Sequence, residues 1–313
     1  MTPPLFSIPM RYFLEVAQAG SVNQAAARLF VAASALSRQI AKLEDGLGTP
    51  LFERHARGMV LTAAGARLAG HLRNALLDTE QVVEQVRGLG GQTTGRVRVC
   101  CTEGFAGGFM PALMRAFQAT HPASQIELHV GAPDEVSRML LHGETDIGLK
   151  YVVAPEPGLR VEHAASAPVL AVMRPDHPLA RGRVVQLADV VRHPLMVGNP
   201  GVTARQLFDL ACSAQGLQYR PVFVSNFSSV MLTLLRNPEI LLSGQLTVSH
   251  LIDEGTAVAR PFAEPMLQHR RLQALSLEGR TLSPPARGFV AQLVQAIGAT
   301  ERRKLGRARA ATV

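Results

Sequence analysis

The chain has 313 residues, room for about two domains, each with a core of its own. A formal net charge of +8 points to an anionic partner, and three cysteines without C-x-x-C spacing exclude a disulfide scaffold and a cysteine metal site. No apolar run reaches bilayer length and no charged-then-apolar leader pattern stands before the first helix, so a cytoplasmic location, without membrane contact, is expected.

Ser21 to Gln24 read as an S-x-x-Q capping box, which predicts a helix from about Val22. Ala25, Ala26 and Leu29 form its inner face. A break at Phe30-Val31 leads to a second apolar series, Leu36, Ile40, Leu43 and Leu47, at helical spacing. That spacing turns Ser34, Ser37, Arg38 and Lys42 outward, with small Ala33 and Ser34 at the helix start. Small residues admit a close backbone approach, hydroxyls donate to base edges or phosphates, and Arg38 can fork onto guanine or clamp a phosphate, as major-groove reading requires. An ordinary solvated helix face is the competing reading of this stretch alone. Next, Leu51-Phe52-Glu53-Arg54 and Met59-Val60-Leu61 flank His55-Ala56-Arg57-Gly58, a hairpin signal with a basic turn. Arg54 and Arg57 sit where such a wing would straddle DNA backbone.

Thr62 can cap a long helix from Ala63 to about Leu89. Along it Leu68, Leu72, Ala75, Thr79, Val82, Val86 and Leu89 alternate steps of four and three, a heptad seam asking for a partner helix. The partner is a second copy or the chain's own domains. Gly88, Gly90, Gly91 and Gly95 then mark a hinge, without the ending of a phosphate loop. Beyond Arg96 strands and helices alternate in the βαβ rhythm of a parallel sheet: strands near Val97–Cys100, Gln125–Val130 and Asp146–Val152, with helices Phe109–Thr120 and Asp134–His142 between. A second unit has strands near Val169–Met173, Leu195–Val197 and Val222–Asn226 and helices near Thr203–Gln215 and Ser228–Arg236. Adjacent Cys100 and Cys101 read as small strand residues, with redox sensing the lesser alternative. The basic segment 301–313 reads as a disordered tail.

The run Gly20-Ser21, Ala25-Ala26-Ala27-Arg28-Leu29, Ala35-Leu36-Ser37-Arg38-Gln39-Ile40, Leu43-Glu44, Leu47-Gly48, Leu51-Phe52-Glu53-Arg54 and Leu61-Thr62-Ala63-Ala64-Gly65 resembles the opening of the LysR-type transcriptional regulators. The departures are Ala32, Ala33 and Ser34, where the family shows Ser or Thr, Gln, and Pro or Ser. They remove a helix cap and an amide suited to adenine. The resemblance implies an α/β chain of three parts: a winged helix-turn-helix over 1–62, a dimerising linker helix over 63–91, and over 92–300 an effector domain of two α/β lobes similar to periplasmic solute-binding folds. His121-Pro122, Gly143 to Gly148, Asp176 to Ala180 and Leu187 to Asp189 resemble landmarks of that domain. Asn237 to Ser243 departs from its usual glycine-rich loop, which is expected beside the cleft. DNA contacts are expected from Ala33, Ser34, Ser37, Arg38, Lys42, Arg54 and Arg57.

In open α/β sheets ligands sit beyond the carboxyl ends of strands. With the family pattern, that rule nominates Thr102, Glu103, Gly104 and Phe105, then Ala132, Pro133 and Tyr151, and from the other lobe Gly201, Thr203, Asn226 and Phe227. Glu103 at the mouth would disfavour a purely anionic effector unless Lys150 offsets it, so an aromatic or mixed-polarity ligand is expected. Ser225, Ser228 and Ser243 lack a nucleophile elbow and the ten histidines lack metal spacing, so neither catalysis, metal nor cofactor is expected. The reading is thus a regulator, a homodimer or homotetramer that binds double-stranded DNA and a small-molecule effector, with RNA polymerase left open as a further partner. The alternative is a cytoplasmic solute-binding receptor without DNA function.

Overall fold

The computed structural model of the chain describes residues 7–55, 58–88 and 95–310. It divides into two compact units, one of residues 1–93 with 279–281, the other of the remainder.

In the first unit, α1 (Ile8–Ala19), α2 (Val22–Leu29) and α3 (Ala33–Leu47) precede a hairpin of β1 (Phe52–His55) and β2 (Gly58–Leu61), and α4 (Ala63–Gly88) follows. One half of the capping box forms: Ser21 Oγ accepts the Gln24 N–H at 3.4 Å, and α2 begins at Val22 as expected. Phe30 ends α2 in the left-handed region at φ 55°, making the turn between the two helices. Ala32 gives α3 no side-chain cap. Phe13, Val16, Ala25, Ala26, Leu36, Ile40, Leu51 and Phe52 form the core, with the Phe13 and Phe52 rings 5.2 Å apart. Glu44 secures the wing, its Oε1 accepting the N–H of Leu51 (2.7 Å) and of Phe52 (3.2 Å). Thr62 starts α4 as expected, its hydroxyl accepting from Gly65 N at 3.0 Å.

The seam on α4 needs a correction. Leu72 is buried and Leu68 half-buried in the winged core, together with Ala69, so the first two seam positions already have a partner in their own unit. Val82, 55 % exposed, stays open. The side chains of Val86 and Leu89 and the hinge glycines Gly90 and Gly91 lie outside the described residues, as do Ala56 and Arg57.

The second unit holds two lobes. Its elements in order are β3 (Arg96–Thr102), α5 (Phe109–Thr120), β4 (Gln125–Gly131), α6 (Pro133–Leu141), β5 (Ile147–Val152), β6 (Leu159–Ser166), β7 (Leu170–Met173), α7 (Leu187–Val190), β8 (Leu195–Gly198), α8 (Thr203–Ala214), β9 (Pro221–Ser225), α9 (Ser228–Leu234), β10 (Ile240–Ser243), α10 (Gln245–Asp253), β11 (Val258–Pro261), β12 (Arg271–Leu277) and α11 (Pro284–Ala310). One sheet runs β4-β3-β5-β12-β6 and the other β11-β7-β10-β8-β9. Strand alternation sets the layers. Val97, Val99 and Cys101 face α5 and α11, where Phe109, Leu113, Phe117, Phe289 and Leu293 bury against them, while Cys100 faces Val136 and Leu140 of α6.

The purely parallel expectation fails at the chain's return: β12 enters between β5 and β6, antiparallel to both, and β7 is antiparallel to β10 and β11. Two crossovers join the lobes, before β7 and before β12, and they pair with each other through Ala167 N to Arg270 O (3.0 Å) and Val169 N to Leu267 O (2.8 Å). The basic end belongs to the last helix. The backbone of α11 continues to Ala310, beyond the part anchored by Ala286, Phe289, Leu293 and Ile297. Leu, Lys, Arg and Ala are good helix formers and no proline interrupts them.

Candidate DNA-reading head and ligand cleft

On the outward face of α3, Ser34, Arg38 and Lys42 are exposed at successive turns, Ser37 is half-exposed, and Ala33 occupies the first helical position, half-buried. Arg54 is exposed on β1. Among the described residues none of Arg38, Lys42 and Arg54 is drawn into an ion pair, in contrast to Arg28, which meets Glu15 at 3.3 Å. Three unspent cations along one helix face and a hairpin form a surface able to meet phosphates and base edges.

Between the lobes of the second unit lies a cleft of about 520 Å³. It sits beyond the carboxyl ends of β3, β4 and β5 on one side and of β8, β9 and β10 on the other, as the open-sheet rule requires. Thr102, Glu103, Gly104, Ala132, Pro133, Tyr151, Gly201, Thr203, Asn226 and Phe227 all line it. Phe105 does not. It is fully buried in the core of its lobe and stacks behind the wall, its ring 4.6 Å from that of Tyr151, because the 3-10 turn Glu103–Phe105 points its third side chain inward.

Glu103 differs in role from the expectation. Its carboxylate reaches across the cleft to the start of α9, accepting the N–H of Ser228 (2.5 Å) and of Ser229 (3.1 Å) and the Ser229 hydroxyl (2.9 Å). The charge is thereby engaged by free helix N–H groups and ties one lobe to the other. Lys150 offers it no offset, since it is buried against Glu156, Ser137 and the Pro133 carbonyl. Of the departing segment Asn237 to Ser243, the start, Asn237–Pro238, lies away from the cleft. Those two residues precede β10, whereas the other end of the same departing segment, Leu242 and Ser243, lines the cleft as expected.

Among the lining residues that the sequence did not point to, two matter most for the chemistry of the cleft. Thr247 stands on α10, and Arg270 immediately precedes β12. Because β12 runs antiparallel to β5, its beginning and not its end borders the cleft, so a rule about carboxyl ends passes over Arg270. Cys100 and Cys101 are buried, and desolvation pushes each thiol up to about 12. At neutral pH they carry almost no thiolate, which disfavours the redox alternative. Among the described residues no cluster of three or more His, Cys, Asp or Glu is arranged to hold a metal, and no helix is long and apolar enough to cross a membrane.

A winged helix-turn-helix head joined to a two-lobed ligand-binding fold defines a class of DNA-binding regulators that carry their own ligand domain. The model of the LysR-family bacterial regulatory helix-turn-helix matches residues 9–66, and that of the LysR substrate binding domain matches residues 90–298. The chain is 27 % identical over 283 residues to the RuBisCO operon transcriptional regulator of Allochromatium vinosum, covering 90 % of this chain and 92 % of that one. It is 28 % identical, also over 283 residues, to a probable nitrogen assimilation transcriptional activator of Synechococcus elongatus, covering 88 % and 90 %. Its fold is similar to full-length CbnR in complex with target DNA (22 % identity, TM-score 0.51, covering 93 % and 98 %) and to a full-length OxyR variant from Pseudomonas aeruginosa (19 %, TM-score 0.57, covering 94 % and 93 %). The chain belongs to the LysR-type transcriptional regulators, DNA-binding proteins with an effector-binding domain.

Proposed function

We propose that the chain acts in the cytoplasm, without catalytic activity, as a homo-oligomer that reads an operator through Ala33, Ser34, Ser37, Arg38, Lys42, Arg54 and Arg57 and answers to a small molecule held between the two lobes. The observation that carries the reading is the pairing of an unspent basic helix face with a cleft whose walls come from both lobes. A ligand that binds the closed arrangement better than the open one shifts the balance between them, and the Glu103 contact to α9 is the link such closure would strengthen.

Among the described residues the Thr102 and Thr203 hydroxyls make no hydrogen bond, which leaves them for a ligand in the cleft they line. Replacing both by Val keeps their volume and is expected to abolish effector response with ligand-free DNA binding retained. Paired footprints of parent and variant, with and without the effector, check this. A variant footprint that still changes as the parent's does would put the ligand elsewhere.

Oligomerisation is assigned to the open part of the α4 seam. Placing a carboxylate at Val82 would bury an unpaired charge in a helix–helix contact. Val82→Asp is therefore expected to halve the particle mass in sedimentation, and an unchanged mass would move the interface off this face.

A further inference from the structure

Arg270 is the cation among the cleft-lining residues, and it is held there without a counterion. Its side chain is 2 % exposed, and no carboxylate lies within ion-pair distance of it among the described residues. Nε donates to the Ala167 carbonyl at 2.8 Å, and Nη2 to those of Pro168 (3.1 Å) and Ser243 (3.2 Å). Those neutral acceptors hold the plane of the guanidinium and leave its charge and its Nη1 donors unanswered. The ring of Tyr151 lies against it, 4.1 Å from Cζ to the ring centre. Burial lowers the Arg270 pKa to about 10, a measure of what removing this charge from water costs.

A second group points the same way. Tyr151 Oη is buried and faces the Thr247 hydroxyl without making a hydrogen bond of good geometry. An unanswered buried hydroxyl beside an uncompensated buried cation is a costly pair to maintain. Gly244 admits both: a Cβ there would lie 2.6 Å from Tyr151 Oη and 2.7 Å from Arg270 Nη2. The carboxylates at the rim do not answer Arg270. Glu103 is engaged by α9, Glu135 meets His129 at 3.1 Å, and Asp134 is exposed in the first turn of α6.

We propose that the cleft selects a small carboxylate, whose anionic head is received by Arg270 and the Tyr151 hydroxyl and whose apolar body lies against Phe227, Met231 and Leu242. This rests on the reading of the cleft as the effector site and narrows it. In a water-poor site an anion beside a guanidinium gains far more than at the surface, and two oxygens can accept from Nη1 and Oη together. The earlier expectation of an aromatic or mixed-polarity ligand is refined to one that carries a negative head.

The test is thermal unfolding of the full chain with matched acid and amide pairs, benzoate against benzamide and hexanoate against hexanamide, at constant ionic strength. At several times its Kd a ligand raises the midpoint of a domain of this size by about 2–4 °C. The acids are expected to produce such a shift and their amides none, with the shift lost in Arg270→Gln and reduced in Tyr151→Phe. Because Arg270 also holds three carbonyls, the Gln variant risks misfolding. Tyr151→Phe removes only a hydroxyl and keeps the test decisive. Amides that match their acids, an acid shift that survives in Tyr151→Phe and in a folded Arg270→Gln, or no shift with either acid would each overturn the proposal. An amide whose shift disappears in the doubly substituted Thr102→Val, Thr203→Val chain would leave the cleft as the effector site while removing the anion from it.

Discussion

Gly65→Ala is expected to cost at least about tenfold in operator affinity by displacing the winged head, while the two-lobed unit unfolds at its original temperature. A Cβ at Gly65 would lie 2.0 Å from the Leu51 carbonyl oxygen and 2.9 Å from its carbon. Both are backbone atoms, and they have nowhere to go. The Leu51 N–H is held by Glu44 at 2.7 Å and its carbonyl accepts from Thr62 N at 3.0 Å, while its side chain is buried in the core. Overpacking of a well-packed site costs about 1–3 kcal/mol, and contact with fixed backbone places this case at the upper end. The strain falls on the junction of wing and α4, so relief requires the hairpin to shift from α3. Calorimetry of the full chain should show the head's transition lowered or lost and the other unchanged. Parental DNA affinity together with an unchanged head transition would refute the packing argument.

Arg38→Ala should weaken operator binding by about 1–3 kcal/mol, roughly 5–150-fold, and relax base discrimination at one position. The side chain is exposed on α3 and paired with no described residue, so its removal leaves the fold as it is. Arg54 supplies the contrast. On β1 it faces outward from a hairpin, where a guanidinium meets phosphate. Arg54→Ala is expected to weaken all sequences alike and to flatten the log–log salt dependence by about 0.9 per protomer. Titrations against operator and scrambled DNA over a salt series separate the two. If Arg38→Ala lowered affinity for both DNAs equally, that residue would belong with the phosphate contacts.

The start of α2 at Val22, the break at Phe30 and the wing were legible because each rests on neighbours in sequence: a cap three residues away, a turn, a pair of short apolar runs. The helix Phe109–Thr120 and the first strands of each lobe were legible for the same reason. Other residues carried chemistry whose purpose only contacts explain. Glu44 and Gly65 stand in the family's opening pattern as structural parts, one holding the wing's N–H groups and the other clearing room for the Leu51 carbonyl. Leu72 fits a heptad seam equally well as an intermolecular residue or as part of the winged core, and spacing could not choose between them.

By itself, then, the amino-acid sequence determined most of the elements from α2 to α9 in their order, the winged head with its outward cations, and several of the loops that line the cleft, since these follow from periodicity, capping and turn chemistry within a few residues. Only the tertiary structure decided where β12 pairs, that Glu103 spends its charge on α9, and that Arg270 stands buried in the cleft without a carboxylate. The physical reason is distance along the chain. Glu103 and Ser228 are joined across 125 residues and Arg270 and Ala167 across 103, and whether a charge is answered or left alone depends on neighbours that no local pattern names.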